Sequence, residues 1–355
     1  MSGAGERSPA PGPATPPFGD RLAAAVAARE SQIVLGIDPD PSRLWPEALV
    51  RTSEARANLA QAVSAAHEAA RAVLEAATPP PGGNGWPARA GAEPPRPPAL
   101  EAAAAVLAHC LALIEAAGPA CVAAKPQLAC FERLGFAGAL ALEAVCEAAR
   151  AAGLLVLADG KRGDVPVTAA AYAQALTGRT PSPFGGVPGL GVDAFTANPL
   201  LGRDALEPLV AGARAAGAGV FVLVRTSNPG AADLLDLPLA GGEPLWERLT
   251  TLVNDLGRPS AAGLADVGAV TGATAPEHLA RMRELMPSAP FLLPGVGAQG
   301  GDVGALAPAF APGRAGGLVT ASRSIADAHE ASDGERAAAA RAEAERLRDA
   351  AWNLV

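Results

Sequence analysis

Residues 154–165 read LLVLADGKRGDV, an apolar run that ends in charge: Asp159, Lys161, Arg162 and Asp164. In extended backbone, residues two apart point to the same side, so Asp159 and Lys161 would face one site. Lys125 closes the preceding apolar run, CVAAKP, and Lys125, Asp159, Lys161 and Asp164 can form an alternating array. A lysine held between carboxylates keeps its proton, which suits a general acid better than a Schiff-base nucleophile. The same charges could equally be a salt-bridge network that closes a sheet.

A second group of residues lies downstream. PGVGAQGGD (294–302) reads as a glycine-rich turn between a strand and a helix, and TASRSI (320–325) follows another apolar run. Glycines let backbone N–H groups approach a phosphate, and Arg323 can add a charge-assisted fork.

The elements that must hold these residues are short apolar runs: 33–38, 121–126, 154–159, 192–199, 220–227, 267–274, 291–297 and 317–322. Amphipathic stretches separate most of them: 131–152, 165–178, 202–216, 243–257, 276–286 and 335–352. Eight strand–helix units point to an α/β fold, a closed (β/α)8 TIM barrel of parallel strands buried on both faces. Polar residues fall at the C-terminal ends of the runs, namely Asp38, Lys125, Asp159, Asn198, Ser227 and Thr274. Active sites of this fold sit at that end, and the loops after strands seven and eight commonly take phosphate.

The whole sequence limits the alternatives. Of 355 residues half are apolar, and the formal charge of −8 comes without a long basic run, so nucleic acid is not an expected partner. Cys110, Cys121, Cys130 and Cys146 form no metal-ligand spacing and read as reduced thiols. The four histidines neighbour no motif, so neither a histidine-held metal nor histidine acid–base chemistry is expected. Residues 1–17 read as a disordered tail and 78–98 as a Pro/Gly-rich surface insertion in a single catalytic domain over 18–355. No run reads as a secretory signal or a membrane span, which makes the cytoplasm the expected location. The four tryptophans and Tyr172 read as packing, and 336–348 as a solvated helix face.

The ordered set LGIDPDP, KPQLACFERLG, DGKRGDVPVTAAAYA, VDAFTANPLLG, VLVRTSNPG, GAVTGAT, PGVGAQGG and ASRSI resembles orotidine 5′-phosphate decarboxylase, in its longer bacterial subgroup. The resemblance runs from Phe18 to about Ala328. It implies decarboxylation of orotidine 5′-phosphate to uridine 5′-phosphate and CO2, the last step of UMP biosynthesis, with no metal or organic cofactor. It implies that Asp38 binds a ribose hydroxyl and that Lys125 contacts ribose and Asp159. Asp159 would sit against the substrate carboxylate, and Lys161 would stabilise and protonate the C6 carbanion. Ser227 would read the pyrimidine, Gln299 and Arg323 would hold the phosphate, and Pro294 is a further substrate-binding position. Asp164 and Thr168 would reach into the partner's site, making a homodimer obligatory. Gly160 departs from the commoner alanine of the motif. The rival readings are a metal-dependent sugar-phosphate decarboxylase or aldolase of the same superfamily, and an inactive phosphate-binding barrel.

Overall fold

The computed structural model describes residues 15–50, 55, 57, 59, 61–62, 65, 68, 97–297, 299–331 and 334–355. Residues 1–14 of the expected tail and 78–96 of the expected insertion lie outside them, as do most of residues 51–77.

Eight parallel strands close into a barrel: β1 (Ile33–Ile37), β2 (Ala123–Pro126), β3 (Leu155–Arg162), β4 (Ala194–Ala197), β5 (Gly219–Arg225), β6 (Val267–Thr271), β7 (Phe291–Pro294) and β8 (Gly317–Ala321). Each pairs with its sequence neighbours, and β8 pairs back onto β1 with Val34 beside Thr320. The eight expected strands are therefore those observed. Burial on both faces explains their continuous apolarity: Ile33, Leu35 and Ile37 of β1 pack outward, whereas Val34 joins the barrel interior with Leu157, Phe221, Val270, Leu292 and Leu318.

Helix α1 (Phe18–Arg29) precedes β1 and contributes Phe18, Leu22 and Val26 to the interior cluster. Phe18 meets Phe221 edge-on at 5.9 Å between ring centroids, and burying such a ring is worth about 1.5–3 kcal/mol. A Cβ at residue 219 would stand 2.4 Å from the Phe18 ring, so β5 must begin with glycine there. A two-stranded ribbon, Arg179–Thr180 with Val187–Pro188, precedes β4.

The outer layer includes α2 (Pro97–Ala117), α3 (Gly135–Ala151), α4 (Pro166–Leu176), α5 (Arg203–Ala215), α6 (Leu245–Leu256), α7 (Leu279–Leu285) and α8 (Arg336–Trp352). Helix α8 buries Ala340, Ala344, Leu347 and Ala351, one face at helical spacing, and packs on α2. Only its other face is the solvated one expected from sequence. The expectation that nothing reads as a membrane span also needs correction. Residues 98–120 are long and apolar enough to cross one. Their apolarity has a packing cause: Ala103, Ala104, Val106, Cys110 and Ala117 are wholly buried in the outer core.

Candidate active site

The charged array forms at the C-terminal end of β3. Asp159 is 7 % exposed, and its carboxylate receives three donors. Lys125 Nζ donates to Oδ2 at 2.7 Å, Lys161 Nζ donates to Oδ1 at 2.7 Å, and the Thr196 hydroxyl donates to Oδ1 at 2.8 Å. Lys125 is itself 5 % exposed, so one cation of this array is out of water and the other half-exposed. Burial works against the charge of both Lys125 and Asp159, yet their mutual attraction wins. Lys125 lies above the ordinary lysine range, helped also by Asp38, and Asp159, beside both lysines, lies far below the usual carboxylate range. Both are ionised at neutral pH.

The route by which Lys161 reaches Asp159 differs from the expectation of extended backbone. Strand β3 continues through the motif to Arg162, but its pairing with β4 slips between Ala158 and Arg162. Four residues of β3 there oppose two of β4, and Lys161 takes a left-handed conformation with φ 48°. Its N–H donates to Thr196 Oγ1 at 2.9 Å. Both side chains still face the site, through a bulge rather than through strand alternation.

Four further loops complete a cavity of about 370 Å³ above the barrel interior. Asp38 follows β1, Ser227 follows β5, Pro294 and Gln299 bracket the turn after β7, and Arg323 opens a short helix after β8. Lys125, Asp159 and Lys161 line the same space. Gly295, at φ 104°, is held where a Cβ would come 3.1 Å from both Gln299 Oε1 and Ser227 Cβ. This turn is tied by Gly301 N–H to the Gly295 carbonyl and by Gly300 N–H to the Gly297 carbonyl. Arg225 pairs through two nitrogens with Asp236, fixing the base of the loop that carries Ser227.

Asp164 and Thr168 do not line this cavity. Asp164 Oδ1 accepts the Val165 N–H just before α4, and Thr168 is exposed on the first turn of that helix. Asn198 and Thr274, singled out as strand-end polar residues, also stand outside it. Asn198 Oδ1 accepts the Leu200 N–H, and Thr274 donates to the Ser227 carbonyl. The inward polar residue of β4 is Thr196, two positions earlier than Asn198, on the face shared with Ala194. Gln127, Thr226, Asn228, Thr320 and Ser322 also line the cavity without having been assigned roles. Gln127 and Asn228 stood in the motifs KPQ and RTSNPG, which was the available signal.

Among the described residues no group of three or more His, Cys, Asp or Glu side chains is arranged to hold a metal ion. Cys110, Cys121 and Cys146 are buried free thiols and Cys130 is a half-buried one. The His109 ring accepts the Trp45 N–H beside α2.

The family model for orotidine 5′-phosphate decarboxylase / HUMPS matches residues 100–340. The chain belongs to this family. An orotidine 5′-phosphate decarboxylase from Haloarcula marismortui is 38 % identical over 315 residues, 88 % of each chain. One from Deinococcus radiodurans is 47 % identical over 218 residues, covering 61 % of this chain and 75 % of the relative. The solved OMP decarboxylase of Leishmania donovani superposes with a TM-score of 0.60 at 28 % identity, over 94 % of this chain and 99 % of that one. The chain is an orotidine 5′-phosphate decarboxylase by these relationships, of the longer subgroup, and its place is in pyrimidine biosynthesis.

Proposed function

We propose that the cavity decarboxylates orotidine 5′-phosphate by electrostatics alone, with Lys161 delivering the proton. The carrying observation is the Asp159 carboxylate held between the Lys125 and Lys161 ammonium groups at 2.7 Å each. The turn after β7, with Gln299, and Arg323 after β8 take the phosphate. Ser227 and Pro294 face the pyrimidine, and Asp38 and Lys125 take the ribose. The substrate carboxylate then lies beside Asp159, where like charge raises the ground state. The C6–carboxylate bond breaks, CO2 leaves, and the electron pair stays on C6. The Lys161 ammonium stabilises that charge and then transfers a proton to C6, giving uridine 5′-phosphate and a neutral amine that solvent reprotonates. At about 3 Å and an effective dielectric of about 20, one ammonium offsets roughly 5 kcal/mol of developing negative charge. Phosphate contacts far from C6 supply binding energy that fixes this orientation.

The enzyme works as a homodimer in the cytoplasm, with Asp164 and Thr168 completing the partner's site. Surface chemistry near these residues supports the pairing. Val165 and Val167, which lie between Asp164 and Thr168, are exposed, Val167 to 85 %. The motif segment runs beside Asn198, since a Cβ at Gly163 would come within 2.9 Å of the Asn198 carbonyl oxygen. Leu200 and Leu201 follow there and are exposed as well. Uncovered apolar side chains around a polar pair fit a two-fold interface.

The test is the loss of ultraviolet absorbance of orotidine 5′-phosphate with purified protein, with and without chelator. Turnover indifferent to chelator supports the proposal. Turnover abolished by chelator and restored by magnesium would instead favour the metal-dependent sugar-phosphate chemistry of the superfamily.

A further inference from the structure

Thr196 stands where the bulge of β3 meets β4, and no role in the reaction has so far fallen to it. It is 2 % exposed, and its single hydroxyl makes two contacts. Oγ1 accepts the backbone N–H of Lys161 at 2.9 Å and donates to Asp159 Oδ1 at 2.8 Å. Lys161 Nζ donates to that same Oδ1. Backbone, hydroxyl, carboxylate and ammonium therefore close a small ring. Lys161 occupies a left-handed conformation at φ 48°, which a side chain with a Cβ adopts only where its surroundings over-determine it. Glu30, the other described residue of this kind, sits at a helix C-cap, where a left-handed residue is ordinary. Lys161 has no such excuse: it lies inside a strand, and its N–H is held by a side chain and not by the ladder.

We propose that Thr196 is a positioning residue of the reaction: its hydroxyl holds the Lys161 backbone in the left-handed bulge and fixes the carboxylate plane of Asp159. The sense of the contacts is forced. The Lys161 N–H can only donate, so the hydroxyl accepts there and its own proton goes to Asp159, which is acceptor-only when ionised. With Lys125 on Oδ2, the carboxylate is pinned at both oxygens, and Lys161 Nζ rests on Oδ1. The hydrogen bonds of the Thr196 hydroxyl go to the Lys161 N–H and to Asp159, so it acts through those two residues.

This inference rests on the decarboxylase reading, and the experiment keeps the two apart. Thr196→Val keeps the shape and removes the hydroxyl; Thr196→Ser keeps the hydroxyl and removes the methyl. With orotidine 5′-phosphate, Thr196→Val should lower kcat by about 10- to 100-fold with KM within about threefold, as a displacement of about 1 Å at the acid does. Thr196→Ser should restore kcat to within about threefold of the unaltered enzyme. A crystal structure of Thr196→Val should show Lys161 out of the left-handed region and Nζ beyond hydrogen-bond reach of Asp159. A Thr196→Val enzyme with unchanged kcat overturns the proposal, as does a Thr196→Ser enzyme equally impaired. So does a structure of Thr196→Val with Lys161 still at positive φ on Asp159. If the unaltered protein does not consume orotidine 5′-phosphate, the decarboxylase reading fails, and the crystal structure still decides whether Thr196 holds the bulge.

Discussion

Replacing Asp159 with asparagine should destabilise the barrel more than replacing its partner Lys125 with methionine. Nζ of Lys125 stands 2.7 Å from Asp159 Oδ2 with both residues more than nine-tenths buried. Two unit charges at that separation attract by about 6 kcal/mol at an effective dielectric of about 20. Much of that repays desolvation, so loss of one partner from a buried pair costs about 3–5 kcal/mol. Asp159→Asn leaves a buried ammonium facing a neutral amide, with Asp38 as the remaining anion acting on it, and should fall in that range. Lys125→Met leaves a carboxylate that retains Lys161 and the Thr196 hydroxyl and removes the cost of burying an ammonium, so it should cost about 1–3 kcal/mol. The double variant should recover part of the sum, with a coupling of about 2–3 kcal/mol. Urea unfolding followed through the buried Trp45 and Trp246, at fixed protein concentration, measures all four corners. Equal costs for the two single variants, or an Asp159→Asn cost below about 1 kcal/mol, would refute the asymmetry of donors on which the estimate rests.

Other consequences follow from named groups. Arg323→Ala should reduce kcat/KM for orotidine 5′-phosphate by about 2–5 kcal/mol while leaving the phosphate-free nucleoside nearly unchanged; equal losses for both would mean that Arg323 does not hold the phosphate. Burial holds the His109 pKa down at about 4, against about 6.5 unfolded. The unfolded chain therefore binds a proton between these values that the folded chain refuses. Stability should be intact above pH 6.5 and fall by about 3 kcal/mol as pH drops to about 4. His109→Gln should flatten that slope in denaturant titrations, and an unchanged slope would contradict the assignment. Lys161→Ala and Asp164→Ala proteins, each nearly inactive, should recover roughly a quarter of full activity when their subunits exchange, because about half the dimers are mixed and carry one complete site. Verified exchange without recovery would place Asp164 in its own chain's site.

The barrel was legible because its strands are short, wholly apolar and separated by amphipathic helices, a pattern that permits little else. The site was legible where a residue's type alone announces chemistry, as at Lys125, Asp159, Lys161 and Arg323. Geometry that depends on backbone exceptions was not. Nothing in DGKRGD says that Lys161 turns left-handed, or that β3 runs on to Arg162 through a bulge. Thr196 escaped notice because Asn198 is the more polar residue of the same run, while strand alternation turns Thr196 inward and the turn after β4 leads Asn198 back to Leu200. Helix α2 is apolar enough for lipid, yet its partners are the neighbouring helices α3 and α8.

Lys161→Ala, assayed at saturating orotidine 5′-phosphate alongside binding of uridine 5′-phosphate, tests the central claim most directly. If Lys161 both stabilises the C6 carbanion and delivers its proton, kcat should fall by at least about a thousandfold, since electrostatic stabilisation and proton transfer are lost together. Product affinity should stay within about tenfold, because the phosphate, ribose and pyrimidine contacts remain. A variant that keeps more than about a tenth of kcat would contradict the mechanism.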